Sequence, residues 1–155
     1  MKRVVMIALL ALSIAGAVAA GEQPAAGPYV PGFGEFMSAT QVRHAKLWFA
    51  GEAENWDLAA YEVDEIREGL DDAAKFHPVH KNVPVAEMIK SNLDAPLREV
   101  EAAIKAKDKS DFARAFDGLT TACNACHAGA SYGFIKVQRP TVPPVSNQVF
   151  APSGK

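Results

Sequence analysis

The chain has 155 residues, of which 49% are hydrophobic and 22% charged, and its formal net charge is −2. That length suits one domain rather than two, and the hydrophobic fraction supplies a real core. No basic surplus is present, so nucleic acid is not an expected partner.

Residues 1–20 read as a cleavable export signal. Lys2 and Arg3 form a positive start, Val4 to Ala15 is an apolar run, and Ala17-Val18-Ala19-Ala20 offers the small residues that signal peptidase needs. Cleavage is expected after Ala19 or Ala20, delivering the protein to the periplasm. The apolar run is short for a membrane span. Loss of Lys2 and Arg3 leaves 14 basic against 18 acidic residues, a net charge of −4.

Residues 21–34 are rich in Pro and Gly and read as an extended lead-in. A first helix is predicted from Glu35 to Gly51, with Met37, Gln41, His44 and Trp48 on one face. Asn55 or Asp57 can cap a second helix that ends at Phe76, before His77-Pro78. Pro84 is placed to open a third, whose apolar positions run from Val85 to Ile104. Pro96 falls inside that pattern and predicts a kink, or a restart capped by Asp94. A fourth helix is expected to start near Ser110-Asp111, with Phe112, Phe116 and Leu119 inward, and to lead into Cys123. Beyond Ala130, Pro140, Pro143, Pro144 and Pro152 forbid a long helix. The fold expected is all-α: an antiparallel up-down-up-down four-helix bundle over 35–130, followed by an extended proline-rich tail over 131–155.

The fourth helix ends in Cys123-Asn124-Ala125-Cys126-His127, the C-x-x-C-H attachment signature of a c-type haem. Two intervening residues bring both sulfurs to one porphyrin edge as thioethers, and His127 can then serve as proximal iron ligand. A structural zinc site would need about four protein ligands, and the chain has no second cysteine pair. A redox C-x-x-C would expect a βαβ setting, which the pattern lacks. One covalent haem c is therefore the expected cofactor.

Helical organisation, an export signal and a C-x-x-C-H near the C-terminus together resemble the class II cytochromes c, the group that includes the cytochromes c prime. The resemblance covers 35–130 in architecture, and only the haem motif is specific at residue level. It implies an exported haem bundle, and homodimers through the first two helices. The long tail departs from the family pattern.

The resemblance leaves two states for the sixth iron position. Low-spin relatives place a methionine from the first helix there, whereas cytochromes c prime leave it open and bind small gases such as NO or CO. In an up-down-up-down bundle the end of the fourth helix lies near the start of the first, which favours Met37. His44, the alternative ligand, lies ~10 Å further along the axis at 1.5 Å per residue. Phe33 and Phe36 are expected at the distal haem edge, Tyr132, Phe134 and Ile135 over the haem from the tail, and His77 and His80 in solvent. Arg139 and Lys136 follow the motif closely enough to meet haem propionates, a guanidinium suiting a carboxylate best. The expected function is electron transfer with a periplasmic redox partner. A gas-binding haem protein and a haem subunit of a larger complex are the alternatives, and no catalytic residue is expected.

Overall fold

The computed structural model describes residues 27–154. The export-signal expectation and the first part of the lead-in fall outside the described residues. Among those described there are four helices and no strand: α1 (Phe33–Glu52), α2 (Trp56–Phe76), α3 (Val85–Ala106) and α4 (Lys109–Gly129). None is long and apolar enough to cross a membrane.

Local chemistry explains most of the boundaries. α1 starts two residues before the expected position because Glu35 accepts a hydrogen bond from the Gly32 N–H at 3.2 Å, a negative group closing the positive end of the helix. Asn55 caps α2, its side chain accepting from Leu58 N at 3.2 Å. Asp108 caps α4 by accepting from Asp111 N at 2.9 Å. α3 does not restart at Asp94 but runs as one 22-residue helix with Pro96 inside. Packing of Ile89, Leu93, Leu97 and Val100 on the core outweighs the single backbone bond that the proline deletes.

Each helix packs on its chain neighbour, and α1 also meets α4, an arrangement compatible with a four-helix bundle. The core is built from the apolar stripes, with Leu47, Ile66, Val100, Phe112, Phe116 and Leu119 fully buried. Each such side chain contributes about 1.5–3 kcal/mol through burial. Trp48 rests on Phe116 and Phe112 with ring centroids 4.9 and 6.3 Å apart. Glu62 is also fully buried, between Arg43 (3.3 Å) and Lys46 (3.6 Å) of α1. α4 presses on α1 at Gly51, where a Cβ would collide with the Phe112 ring.

After α4 the chain reverses, and the described residues that follow hold no further helix or strand. It is pinned to its own domain in several places. Asn124 bonds Val137, Arg139 reaches Asp117 and the Ala113 carbonyl, and Asn55 donates to the carbonyls of Phe150 and Ala151. Phe150 also packs on Phe49, with centroids 5.6 Å apart.

Candidate functional site

Cys123, Cys126 and His127 stand at i, i+3 and i+4 on α4, so one helix face carries all three. That face lines a cavity of about 550 Å³, within the range of about 300–1,000 Å³ typical of cofactor and ligand sites. α1 contributes Met37, Gln41 and His44, again one helical stripe, and α3 contributes Val85, Met88, Ile89 and Leu93. His80 and Lys81 enter from the α2–α3 connection, and Tyr132, Ile135 and Val137 from the segment after α4. Among the described residues the wall is mostly apolar, with one ammonium, Lys81, and no carboxylate side chain.

The two cysteines are unpaired with each other. Burial pushes the Cys123 thiol up to about 12, helped by the neighbouring Cys126 sulfur, and burial raises Cys126 as well. Both are therefore protonated thiols near neutral pH. Among the described residues no group of three or more His, Cys, Asp or Glu side chains comes together to hold a bare metal ion.

His127 has a defined orientation. Its Nδ1 lies 3.1 Å from the Ile135 carbonyl oxygen. A carbonyl only accepts, so Nδ1 carries the proton and donates. In the neutral ring Nε2 then keeps its lone pair, the form in which an imidazole binds a metal. His44 has the opposite tautomer. Thr120 donates its hydroxyl to the Phe116 carbonyl at 2.8 Å, so its lone pair receives the His44 Nε2–H at 2.9 Å. The His44 ring lies 4.4 Å from that of Phe116, and burial lowers its pKa to about 4. It is a neutral core histidine with one nitrogen already engaged.

Met37, Cys123, Cys126 and His127, all singled out from the sequence, thus line one cavity, with His44 at its wall. Arg139 is not brought there. It makes two short bonds to the Asp117 carboxylate, 2.6 and 2.7 Å, and its guanidinium lies 4.3 Å over the Trp48 ring. The planar fork expected to meet a cofactor carboxylate is satisfied by a carboxylate of α4 instead, and Lys136 does not line the cavity either. Phe33 does line it, but Phe36 stacks on Phe76 outside. Tyr132 and Ile135 fold over the cavity as expected, whereas Phe134 stays exposed.

Several lining residues escaped the sequence reading. His80 is not free in solvent: it faces the cavity and stacks on Phe33 at 4.8 Å. Lys81 and Asn82 take positive φ values of 49° and 67°, a turn no spacing rule announced, and this brings Lys81 to the wall. Met88 lines the cavity rather than the core, and a Cβ at Gly129 would come within 3.0 Å of its methyl carbon. Its helical periodicity was visible, but the identity of its neighbour was not.

A haem c, the group that the C-x-x-C-H spacing calls for, fits these residues. Two thiols share one face, an imidazole offers a free Nε2, the walls are apolar, and a single cation with no opposing carboxylate suits propionates. Comparisons with protein-family models, with curated proteins and with solved structures found no match.

Proposed function

We propose that the protein is an exported mono-haem c-type cytochrome that carries electrons in the periplasm. One observation carries the reading: a single apolar cavity is lined by Cys123, Cys126, His127 and Met37 together. Cys123 and Cys126 would hold the haem as thioethers, His127 would ligate through Nε2, and the Met37 thioether would take the sixth position. When bound, the haem supplies an iron that alternates between Fe(III) and Fe(II). The chain supplies the rest. Val85, Ile89 and Leu93 exclude water, and Lys81 balances propionate charge at the wall. The Ile135 carbonyl holds the His127 proton at Nδ1. His44, engaged with Thr120, is the weaker candidate for the sixth ligand.

The reading includes an antiparallel up-down-up-down order for the helices. Supporting pairs run in opposite senses along neighbours: Arg43–Glu62 and Phe36–Phe76 between α1 and α2, and His44–Thr120 and Gly51–Phe112 between α1 and α4. The connections at 53–55 and 107–108 are short enough for such hairpins. This order gathers the start of α1, the end of α4 and the α2–α3 connection at one end of the bundle, around the cavity. The proline-rich tail is part of the same domain, since its anchors lie on its own helices. The partner would be a redox protein meeting the chain in a small, transient contact, for which a net acidic surface gives electrostatic steering.

The test is to produce the protein in a host that matures c-type haem. Expected are haem that stays with the chain under denaturing conditions and a low-spin spectrum. The oxidised form should carry the weak long-wavelength band of methionine on ferric iron, lost in Met37→Ala. Retention of the band in Met37→Ala and its loss in Met88→Ala would move the ligand to α3. A high-spin wild type that binds CO when reduced would replace electron transfer by gas binding. A chain without covalent haem would end the reading.

A further inference from the structure

The x-x positions of a C-x-x-C-H motif carry no chemistry of their own, yet Asn124 is the most fully bonded side chain in the motif. Its amide donates to the Val137 carbonyl at 2.9 Å, and its carbonyl oxygen accepts from Val137 N at 2.8 Å. This two-bond clamp copies the pairing between neighbouring backbone strands and fixes one residue of the returning chain. Asn124 and His127 are three apart on α4, so they are neighbours on its surface. Val137 and Ile135 are two apart on the returning segment. The clamp on Val137 therefore stands beside the bond from His127 Nδ1 to the Ile135 carbonyl. The other side of that carbonyl is set by the turn: Tyr132 N donates to the His127 carbonyl at 2.7 Å, and Ile135 N to the Tyr132 carbonyl at 2.8 Å. The 131–137 segment is a short loop tied down at both ends, with its one functional carbonyl in between.

We infer that Asn124 is a positioning residue: through its clamp on Val137 it holds the Ile135 carbonyl against His127 Nδ1 and so sets the electron-donating strength of the proximal imidazole. The inference rests on the haem reading above. A hydrogen bond from Nδ1 to a carbonyl increases electron density on the ring and favours the ferric iron. Loss of that bond favours the ferrous form and raises the reduction potential. Only the part of that bond's strength that differs between the two oxidation states is read out. A change of about threefold in the one-electron equilibrium is expected, which at 59 mV per tenfold is about 30 mV.

The strap has a second anchor that serves as an internal control. Arg139 is tied to Asp117 two helical turns before Asn124. Breaking it loosens the tail without touching the clamp.

The experiment is a redox titration of the full haem-loaded chain as wild type, Asn124→Ala, Val137→Pro and Asp117→Ala. Asn124→Ala removes the clamp from the α4 side. Val137→Pro removes the N–H from the other side, so the two should raise the potential by similar amounts, while Asp117→Ala leaves it at the wild-type value. An unchanged potential in Asn124→Ala overturns the inference, as does an equal rise in Asp117→Ala. Asn124→Ala alone is decisive if the proline variant does not fold. A wild-type chain that takes up no covalent haem sinks the haem reading itself, an outcome visible before any titration.

Discussion

His44 donates its Nε2 proton to Thr120 across the α1–α4 seam at 2.9 Å, and Thr120 passes its own hydroxyl proton to the Phe116 carbonyl at 2.8 Å. The relay starts on a residue of the cavity wall and ends on the backbone of the core. Burial lowers the His44 pKa to about 4, so near neutral pH its ring is uncharged, with Nε2–H engaged by Thr120.

That depressed pKa makes the fold acid-sensitive in a defined window. In the unfolded chain His44 binds a proton below about pH 6.5; in the folded chain it does so only near pH 4. Between those values the unfolded state binds more protons, so stability falls as pH falls through the window. The contribution is at most about 3 kcal/mol, from about 1.36 kcal/mol per unit. Urea unfolding at pH 7.5 and pH 4.5 measures it. His44→Gln, a neutral donor to Thr120, is expected to lose most of the pH-dependent part. An identical loss in wild type and variant would show that other groups carry it.

Lys81 should take the role that sequence alone assigns to Arg139. Arg139→Ala removes a half-exposed ion pair, worth about 0–1 kcal/mol, and a stacking contact on Trp48, worth about 0.5–1 kcal/mol. It should lower stability by roughly 1 kcal/mol with haem content and spectrum unchanged. Lys81→Ala should instead alter the haem environment, seen as a shifted potential, with little effect on stability. The reverse pattern would return the propionates to Arg139.

The motif and the helices were legible because their determinants are local. Spacing puts Cys123, Cys126 and His127 on one face, Asn55 caps α2 by its own side chain, and the apolar stripes recur at helical period. The placement of Met37 at the cavity followed from helix order. What could not be read was set by partners far along the chain. Arg139 has two acceptors of equal chemistry, a cofactor carboxylate and Asp117, and only the path of the tail brings it to the latter. Lys81 reaches the wall because Lys81 and Asn82 both adopt left-handed backbone values; asparagine tolerates that region, but a lysine does not announce it. Pro96 did not force a restart at Asp94 for a related reason: a helix rule counts one lost bond, whereas the helix is held by its buried face.

Gly51 is a tight point between α1 and α4. A methyl group there would have to displace the fully buried Phe112 ring, which is also packed by Trp48 and Trp56. Gly51→Ala would gain helix propensity of about 1 kcal/mol, but overpacking costs about 1–3 kcal/mol. A net destabilisation of up to about 2 kcal/mol is expected, measured by chemical unfolding. A stabilised variant would mean that the two helices separate at that end without penalty.

The turn that sends the chain back along α4 sits on a non-glycine residue. Ser131 has φ 66°, and the bonds around it are those of a Schellman end: Tyr132 N to the His127 carbonyl at 2.7 Å and Ser131 N to the Ala128 carbonyl at 3.1 Å. The left-handed conformation costs a side-chain-bearing residue roughly 1–2 kcal/mol. Glycine escapes that cost but brings extra freedom to the unfolded chain, a loss of about 0.4–1 kcal/mol. Ser131→Gly should therefore stabilise by roughly 0.5–1 kcal/mol. Ser131→Ala separates backbone relief from any effect of the hydroxyl, because alanine keeps the strain. It should leave stability within about 0.5 kcal/mol of wild type. The same turn delivers Ile135 to His127, and it keeps its shape in the glycine variant, so the haem potential should stay at the wild-type value while the melting temperature rises. A rise in both variants would assign the gain to the hydroxyl, and a shifted potential in Ser131→Gly would show that the strain at Ser131 helps to press the strap onto the proximal histidine.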